Sequence, residues 1–131
     1  MIRQFKALFF IALSVLSLQA DFLDKESAQA LRENKLILVN IESNDCPYCQ
    51  KMKKEIFNAR AYRQKIDQHF IVVTYLNSDP ILPADFRPQY VPANAIYSPR
   101  KKDILDAYVG YIEPTRFMEI LNNTYEVEFN H

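Results

Sequence analysis

The sequence is poor in several residue types that build functional sites. Its 131 residues include two cysteines, two histidines, one glycine and no tryptophan. Neither His69 nor His131 has ligand spacing to the cysteines, so the sequence argues against a four-ligand zinc site. Since glycine alone adopts positive φ angles without strain, the single Gly110 predicts a backbone position with a special requirement, either a β-bulge or a positive φ.

The sequence also lacks an excess of charge of either sign. Lysine and arginine together number 16, and aspartate and glutamate together also number 16. A balanced chain has no electrostatic reason to bind nucleic acid or an anionic membrane as its main partner. Its length fits one domain, and it contains no internal repeat or low-complexity segment.

The first twenty residues have the order of a secretory signal. Residues 1–6 carry two basic residues and no acidic one, and residues 7–18 are apolar apart from two serines. Gln19 and Ala20 then precede the first acidic residue, Asp21. We therefore expect a signal peptide at 1–20, a single domain at 21–131 and a periplasmic location, where disulfides persist. The alternative is a retained anchor, but an apolar helix of this length rises only about 18 Å, short of the ~30 Å bilayer core.

Both cysteines lie in one tetrapeptide, Cys46-Pro47-Tyr48-Cys49. It separates an apolar, strand-like run at 36–41 from a basic, helical one at 50–57. Two thiols with this spacing at a strand-to-helix junction can close a disulfide with little backbone movement, and the helix N-terminus favours the thiolate form of the first. A bridge across so short a loop constrains the unfolded chain little. We therefore interpret the pair as a redox-active dithiol and not as a disulfide with a purely structural role.

Hydrophobic periodicity predicts four helices and four strands. The helices are expected at 24–34, 47–58, 59–69 and 114–125, and the strands at 35–42, 70–76, 93–97 and 104–108. Prolines within 77–91 predict an ordered loop with at most a short turn, and 126–131 is expected to be a polar tail. A parallel βαβ unit followed by an antiparallel ββα unit predicts a three-layer α/β/α domain with a central mixed sheet.

Three motifs in this order resemble the thioredoxin superfamily. They are the cysteine tetrapeptide after an apolar strand, Val91-Pro92 before a β-hairpin, and Gly110-Tyr111 leading to Pro114, Phe117 and Leu121. Residues 27–121 are similar to the secreted, single-domain thioredoxin-like proteins of bacteria, among them the periplasmic thioredoxins of sulfur-oxidation clusters. The resemblance implies a thioredoxin-like fold and thiol:disulfide oxidoreductase activity. It also implies that Pro92 is a cis proline packed against the dithiol and that Val91 pairs its backbone with an extended substrate.

Disulfide exchange requires a thiolate nucleophile and a second thiol that resolves the mixed disulfide. We expect Cys46 to be the nucleophile, because it caps the helix and lies nearer to solvent. Cys49, inside the first helical turn, is expected to be more buried and to resolve the intermediate. Pro47 and Tyr48, which lie between the two cysteines, modulate the stability of the thiolate. The redox-active disulfide would itself be the only cofactor, and no metal is expected.

Two residues near the dithiol depart from the usual thioredoxin pattern. Asp45 stands before the first cysteine, where tryptophan is usual, and its carboxylate either opposes thiolate formation or accepts a hydrogen bond at the helix start. Asn40 stands where a buried acidic residue usually takes the proton of the inner cysteine, which asparagine cannot do. Glu42 lies two residues further, on the same strand face. We hypothesise that Glu42 or a water accepts the proton; the alternative is a solvent-exposed Glu42.

The expected function is an extracytoplasmic exchange of electrons with protein disulfides, most simply by a monomeric reductase. The sequence contains neither the inserted helical domain of the DsbA oxidases nor the dimerisation domain of the DsbC isomerases, which favours this direction. Its partners would be protein thiols and disulfides and a membrane or periplasmic electron-exchange protein. Two alternatives stay open: a DsbA-like oxidase of folding proteins, and a carrier that binds Cu(I) through the two thiolates.

Overall fold

The computed structural model describes residues 22–130, so the signal peptide expected at 1–20 lies outside the described residues. The elements in chain order are α1 (Asp24–Glu33), β1 (Leu36–Glu42), α2 (Pro47–Met52), a π-helical turn (Lys53–Phe57), α3 (Arg60–His69), β2 (Phe70–Leu76), a 3-10 turn (Ala84–Phe86), β3 (Ala93–Ser98), β4 (Asp103–Val109) and α4 (Pro114–Phe129). None of the helices within 22–130 is long and apolar enough to span a bilayer.

The four strands form one mixed sheet in the order β2-β1-β3-β4. β1 is parallel to β2 and antiparallel to β3, and β3 is antiparallel to β4. The central strand β1 is apolar along most of its length because both of its faces are covered. Leu36 and Leu38 enter a core with α2, α3 and α4, and Ile37 and Val39 enter a second core with α1. The predicted three-layer α/β fold with a central mixed sheet is confirmed.

The helix that follows the dithiol is not regular. The sequence predicts one helix at 47–58, and the structure has α2 followed directly by a π-helical turn at Lys53–Phe57. Because a π-helical turn closes a larger hydrogen-bonded ring than an α-helical one, it changes the direction of the side chains that follow. Met52 and Ile56, on either side of its start, are both fully buried. No glycine or proline marks this change, so the sequence does not reveal it.

The predicted polar tail at 126–131 is wrong for the residues that the structure describes. α4 does not end near Tyr125 but continues to Phe129. In its last turn, Glu128 is buried and accepts hydrogen bonds from the Ser98 hydroxyl at 3.1 Å and from Arg100 at 3.3 Å. Lys101 Nζ lies 2.7 Å from the same carboxylate. The partners all belong to the β3–β4 hairpin, which fixes the end of α4 to the sheet.

The lone glycine has the special backbone that its rarity predicts. Gly110 has a φ of 103°, and its N–H donates to the Pro92 carbonyl oxygen at 2.7 Å. A β-bulge, the other expectation for this residue, lies elsewhere, since the register between β3 and β4 shifts at Ile96/Tyr97. Gly110 therefore connects the end of β4 to the segment that precedes β3.

Candidate active site

The dithiol lies at the end of the sheet where β1 finishes and β3 begins. Ile41 of β1 pairs with Ala93 of β3, and Ala93 also pairs with the last residue of β4. These pairs bring three junctions to one end of the sheet: the loop from β1 to the cysteines, the Val91-Pro92 segment before β3, and Gly110 after β4. Motifs that are far apart in the sequence are thus neighbours in space.

Cys46 and Cys49 are joined by a disulfide bond, with their Cα atoms 5.2 Å apart. Cys46 is the N-cap of α2: its backbone is extended, and its Sγ accepts the Cys49 N–H at 3.1 Å. Pro47 occupies the first helical position, where its missing N–H costs nothing. The Cys46 sulfur thus receives a hydrogen bond of the kind that stabilises a thiolate. The two cysteines are 6% and 4% exposed in the disulfide form, so the expected contrast in their burial is small.

The Val91–Pro92 peptide bond is cis. Pro92 is fully buried, Val91 is partly exposed, and Tyr90 before them is exposed. Because Pro92 directly precedes β3, this segment presents accessible chain at the same end of the sheet as the dithiol.

Two buried amides occupy the place where the family usually has a buried acid. Asn40, 4% exposed, donates from Nδ2 to Oδ1 of Asn94 at 3.0 Å. The two residues are register partners on β1 and β3. Within 22–130, Nδ2 of Asn94 has no hydrogen-bond partner. A neutral amide pair cannot accept the proton of Cys49. Asn94 belongs to no motif and is not predicted as a site residue from the sequence.

Glu42 is the carboxylate that lies nearest to the dithiol along β1. Its side chain is 15% exposed, and its Oε1 lies 3.1 Å from Nζ of Lys53 in the π-helical turn. Because residues 40 and 42 point to the same face of the strand, Glu42 shares with Asn40 the side of the sheet that α2 covers. The carboxylate is therefore mostly covered and ion-paired, and not free in solvent.

Asp45, the other acidic residue before the cysteines, is exposed in the turn that precedes α2. The Cys49 N–H at the helix start is bonded to the Cys46 sulfur and not to this carboxylate. Asp45 therefore does not cap this N–H, and its exposed carboxylate stands one residue before Cys46.

A cluster of side chains joins the dithiol helix to the segment after β4. Tyr48, 61% exposed, has its ring centroid 6.0 Å from that of Tyr111. Tyr111 donates its hydroxyl hydrogen to Glu55, and Lys51 Nζ lies 4.4 Å from the Tyr111 ring centroid. The hydrogen bond to Glu55 raises the pKa of Tyr111 to about 12, and burial and the charges of Glu55 and Glu113 act in the same direction. In the sequence, Tyr111 is only part of a motif and has no predicted role of its own.

The described residues contain no cluster suited to a metal ion. Within 22–130, no three side chains of histidine, cysteine, aspartate or glutamate come together as ligands. The two cysteines are bonded to each other, so a Cu(I) site on their thiolates would first require reduction of the disulfide.

Comparisons with known proteins agree on one fold. The family described as a thioredoxin-like domain matches residues 23–125. No curated protein sequence matches the chain. A thioredoxin from Thermus thermophilus superposes with a TM-score of 0.65 at 20% identity, covering 76% of this chain and 82% of its own.

Two further similar structures are a periplasmic thioredoxin and a domain of DsbD. The periplasmic thioredoxin SoxS from Paracoccus pantotrophus, in its reduced form, has a TM-score of 0.56 at 19% identity and covers 70% of this chain and 96% of its own. The reduced C-terminal domain of DsbD from Neisseria meningitidis has a TM-score of 0.61 at 17% identity and covers 78% of this chain and 93% of its own. At such identities the similarity shows the fold, and it confirms the resemblance found in the sequence.

Proposed function

The chain belongs to the thioredoxin-like domain family, and we propose on that basis that it is an extracytoplasmic thiol:disulfide oxidoreductase, most simply a reductase of protein disulfides. The observation that carries this proposal is the Cys46–Cys49 disulfide at the start of α2, in which the Cys46 sulfur accepts the Cys49 N–H. This geometry keeps the two sulfurs within bonding distance and supplies a hydrogen bond to the sulfur that attacks.

The proposed reaction begins when the Cys46 thiolate attacks one sulfur of a substrate disulfide. A mixed disulfide forms, and the other substrate sulfur leaves as a thiolate. Cys49 then loses its proton and attacks the Cys46 sulfur, which closes the Cys46–Cys49 disulfide and releases the second substrate thiolate. Two electrons pass to the substrate, and a partner dithiol returns them to the protein. Beyond this disulfide, the proposed cycle needs no cofactor.

The substrate is proposed to lie along the Val91-Pro92 segment. There the Val91 backbone would pair with an extended stretch of the substrate chain, as in strand addition. Support comes from the register of Ile41 with Ala93, which brings this segment beside the end of β1 that leads to Cys46. Val91 is partly exposed, so a ligand can approach it.

The direction of electron flow depends on the relative stability of the reduced dithiol and not on the fold. Potentials of such sites run from about −270 mV in thioredoxin to about −120 mV in DsbA, a gap of roughly 7 kcal/mol for two electrons. Within 22–130 no helical domain like that of the DsbA oxidases is inserted between the strands, which supports the reductase. The similarity to SoxS, a periplasmic thioredoxin, and the predicted signal peptide support the extracytoplasmic location.

The proposal is tested by insulin reduction with dithiothreitol as the electron donor and the protein without residues 1–20 as the catalyst. We expect the wild type to accelerate the precipitation of reduced insulin and Cys46→Ser to return it to the uncatalysed rate. Tight Cu(I) binding by a reduced protein that does not accelerate this reaction would support the carrier instead. The equilibrium potential of the dithiol then separates a reductase, near −270 mV, from an oxidase, near −120 mV.

Glu42 is proposed to accept the proton of Cys49, since it is mostly covered and shares a sheet face with Asn40. Glu42→Gln removes a group that can take a proton, so we expect dithiol oxidation near neutral pH to slow at least about tenfold. The pH dependence of this oxidation rate is expected to shift as well. Because the chain has no tryptophan whose fluorescence could report on its own oxidation, the rate is followed with insulin that carries a self-quenching fluorophore, whose emission rises when reduction separates the insulin chains.

Glu33→Gln is the matched control for this variant, because Glu33 is exposed on α1. It is expected to leave the rate within about twofold of the wild type. An unchanged rate and an unchanged pH profile in Glu42→Gln would rule out Glu42 and leave water as the acceptor.

A further inference from the structure

Tyr111 is the point at which two side chains of α2 and one of the π-helical turn meet the segment after β4. Its hydroxyl donates to Glu55, its ring lies under Lys51, and its ring centroid is 6.0 Å from that of Tyr48. Lys51 and Glu55 also form an ion pair with each other at 4.0 Å. Because these contacts involve both the hydroxyl and the ring of Tyr111, they restrain the position of its side chain relative to α2.

The backbone next to Tyr111 is fixed as well. Gly110, with its φ of 103°, donates its N–H to the Pro92 carbonyl oxygen at 2.7 Å. Tyr111 is thus connected on one side to the Val91-Pro92 segment and on the other side to α2. Tyr111 therefore connects α2 to the segment along which the substrate is proposed to lie.

Tyr48 is held in place chiefly through its contact with Tyr111 and not by the core. It is 61% exposed, so core packing does not hold its ring, and it lies between the two cysteines in the sequence. An exposed side chain that is free to rotate loses entropy when a ligand orders it, whereas a ring held against another ring has already lost that freedom. The tilted contact with Tyr111 supplies this restraint.

We propose, on the premise of the proposed function, that Tyr111 is a positioning residue that holds Tyr48 as an aromatic platform beside Cys46. The platform offers a ring face to the residues that flank a substrate disulfide. It therefore favours polypeptide substrates that carry an apolar or aromatic side chain next to the reacting cysteine. A small disulfide has no such side chain and gains nothing from the platform. Glu55 and Lys51 act through Tyr111, since they hold its hydroxyl and its ring.

The test compares two substrates, insulin and bis(2-hydroxyethyl) disulfide. Tyr111→Ala removes one aromatic contact, so we expect the KM for insulin to rise about fivefold. The kcat for insulin and the kcat/KM for the small disulfide are expected to stay within about twofold. Tyr111→Phe keeps the ring and loses only the bond to Glu55, and it is expected to raise the insulin KM about threefold. The equilibrium potential of the dithiol should be unchanged in both variants.

Tyr108→Phe is the matched control, because it removes another tyrosine–carboxylate hydrogen bond, the one to Asp106 within β4. It is expected to leave the kinetics with both substrates within about twofold. Equal losses with both substrates in Tyr111→Ala, a shifted potential, or an unchanged insulin KM would each overturn the assignment. A wild type that reduces neither substrate would instead refute the proposed function itself.

Discussion

A Cys49→Ser variant is expected to stop after its first exchange and to accumulate a mixed disulfide through Cys46. The hydrogen bond to the Cys46 sulfur comes from the main chain of residue 49, so the substitution leaves it in place. Cys46 can therefore still attack, but no internal thiol remains to release the product. Because an intramolecular group acts at an effective concentration that millimolar external thiol cannot match, turnover should fall about a thousand-fold or more.

The adduct can be detected by mass spectrometry of the intact protein after the reduced variant is mixed with insulin. We expect one insulin molecule per protein, linked through Cys46, because a single exchange breaks only one of the two disulfides that join the insulin chains. Cys46→Ser is the control, and it should form an adduct far more slowly, because its remaining thiol lies inside the first helical turn and receives no such hydrogen bond from any residue within 22–130. An adduct that forms readily in Cys46→Ser and not in Cys49→Ser would reverse the assigned roles of the two cysteines.

The parts of the fold that the sequence predicts are those that local pattern determines. β1 is apolar along most of its length because both of its faces are buried, and this pattern can be recognised without the structure. Pro114 marks the start of α4 for a similarly local reason, since proline suits the first helical position. The π-helical turn at Lys53–Phe57 carries no such mark, because its residues fit an α-helix equally well.

The parts that the sequence does not predict depend on contacts between distant residues. The dithiol is recognisable because its four residues are contiguous. In contrast, Asn40 meets Asn94 across 54 positions, and Tyr111 meets Glu55 across 56. The sequence around Asn94 does not indicate its partner, so the buried amide pair is found only in the three-dimensional structure. The same reason explains the error at 126–131, whose polar residues suggest a solvated tail until the hairpin that binds Glu128 is known.

Glu128→Ala is expected to lower the free energy of unfolding by about 2–3 kcal/mol, because hydrogen bonds to charged groups contribute more than neutral ones. Ser98 is fully buried and would lose the acceptor for its hydroxyl. Arg100 and Lys101 are about half exposed, so solvent screens their share and the loss stays below that of a fully buried ion pair. The measurement is urea denaturation of the oxidised protein.

Glu126→Ala is the matched control for this prediction. Glu126 is exposed and lies in the same part of α4, so its replacement should change stability by less than about 0.5 kcal/mol. Equal stability of the Glu128→Ala variant and the wild type would show that the last turn of α4 is held by its apolar contacts alone.

The stability that Glu128 contributes is expected to depend on pH in one direction. Burial acts to raise the pKa of Glu128, but the hydrogen bonds from Lys101, Ser98 and Arg100 and the charge of Lys101 outweigh it, so the pKa lies below the ordinary value of 4.5. Since the folded pKa is the lower one, the contribution is complete above the unfolded value and is lost as the pH falls through the folded value. The difference between wild type and Glu128→Ala should therefore be constant around neutral pH and shrink below about pH 4. A difference that grows on acidification would mean that the protonated and not the ionised carboxyl holds the hairpin to α4.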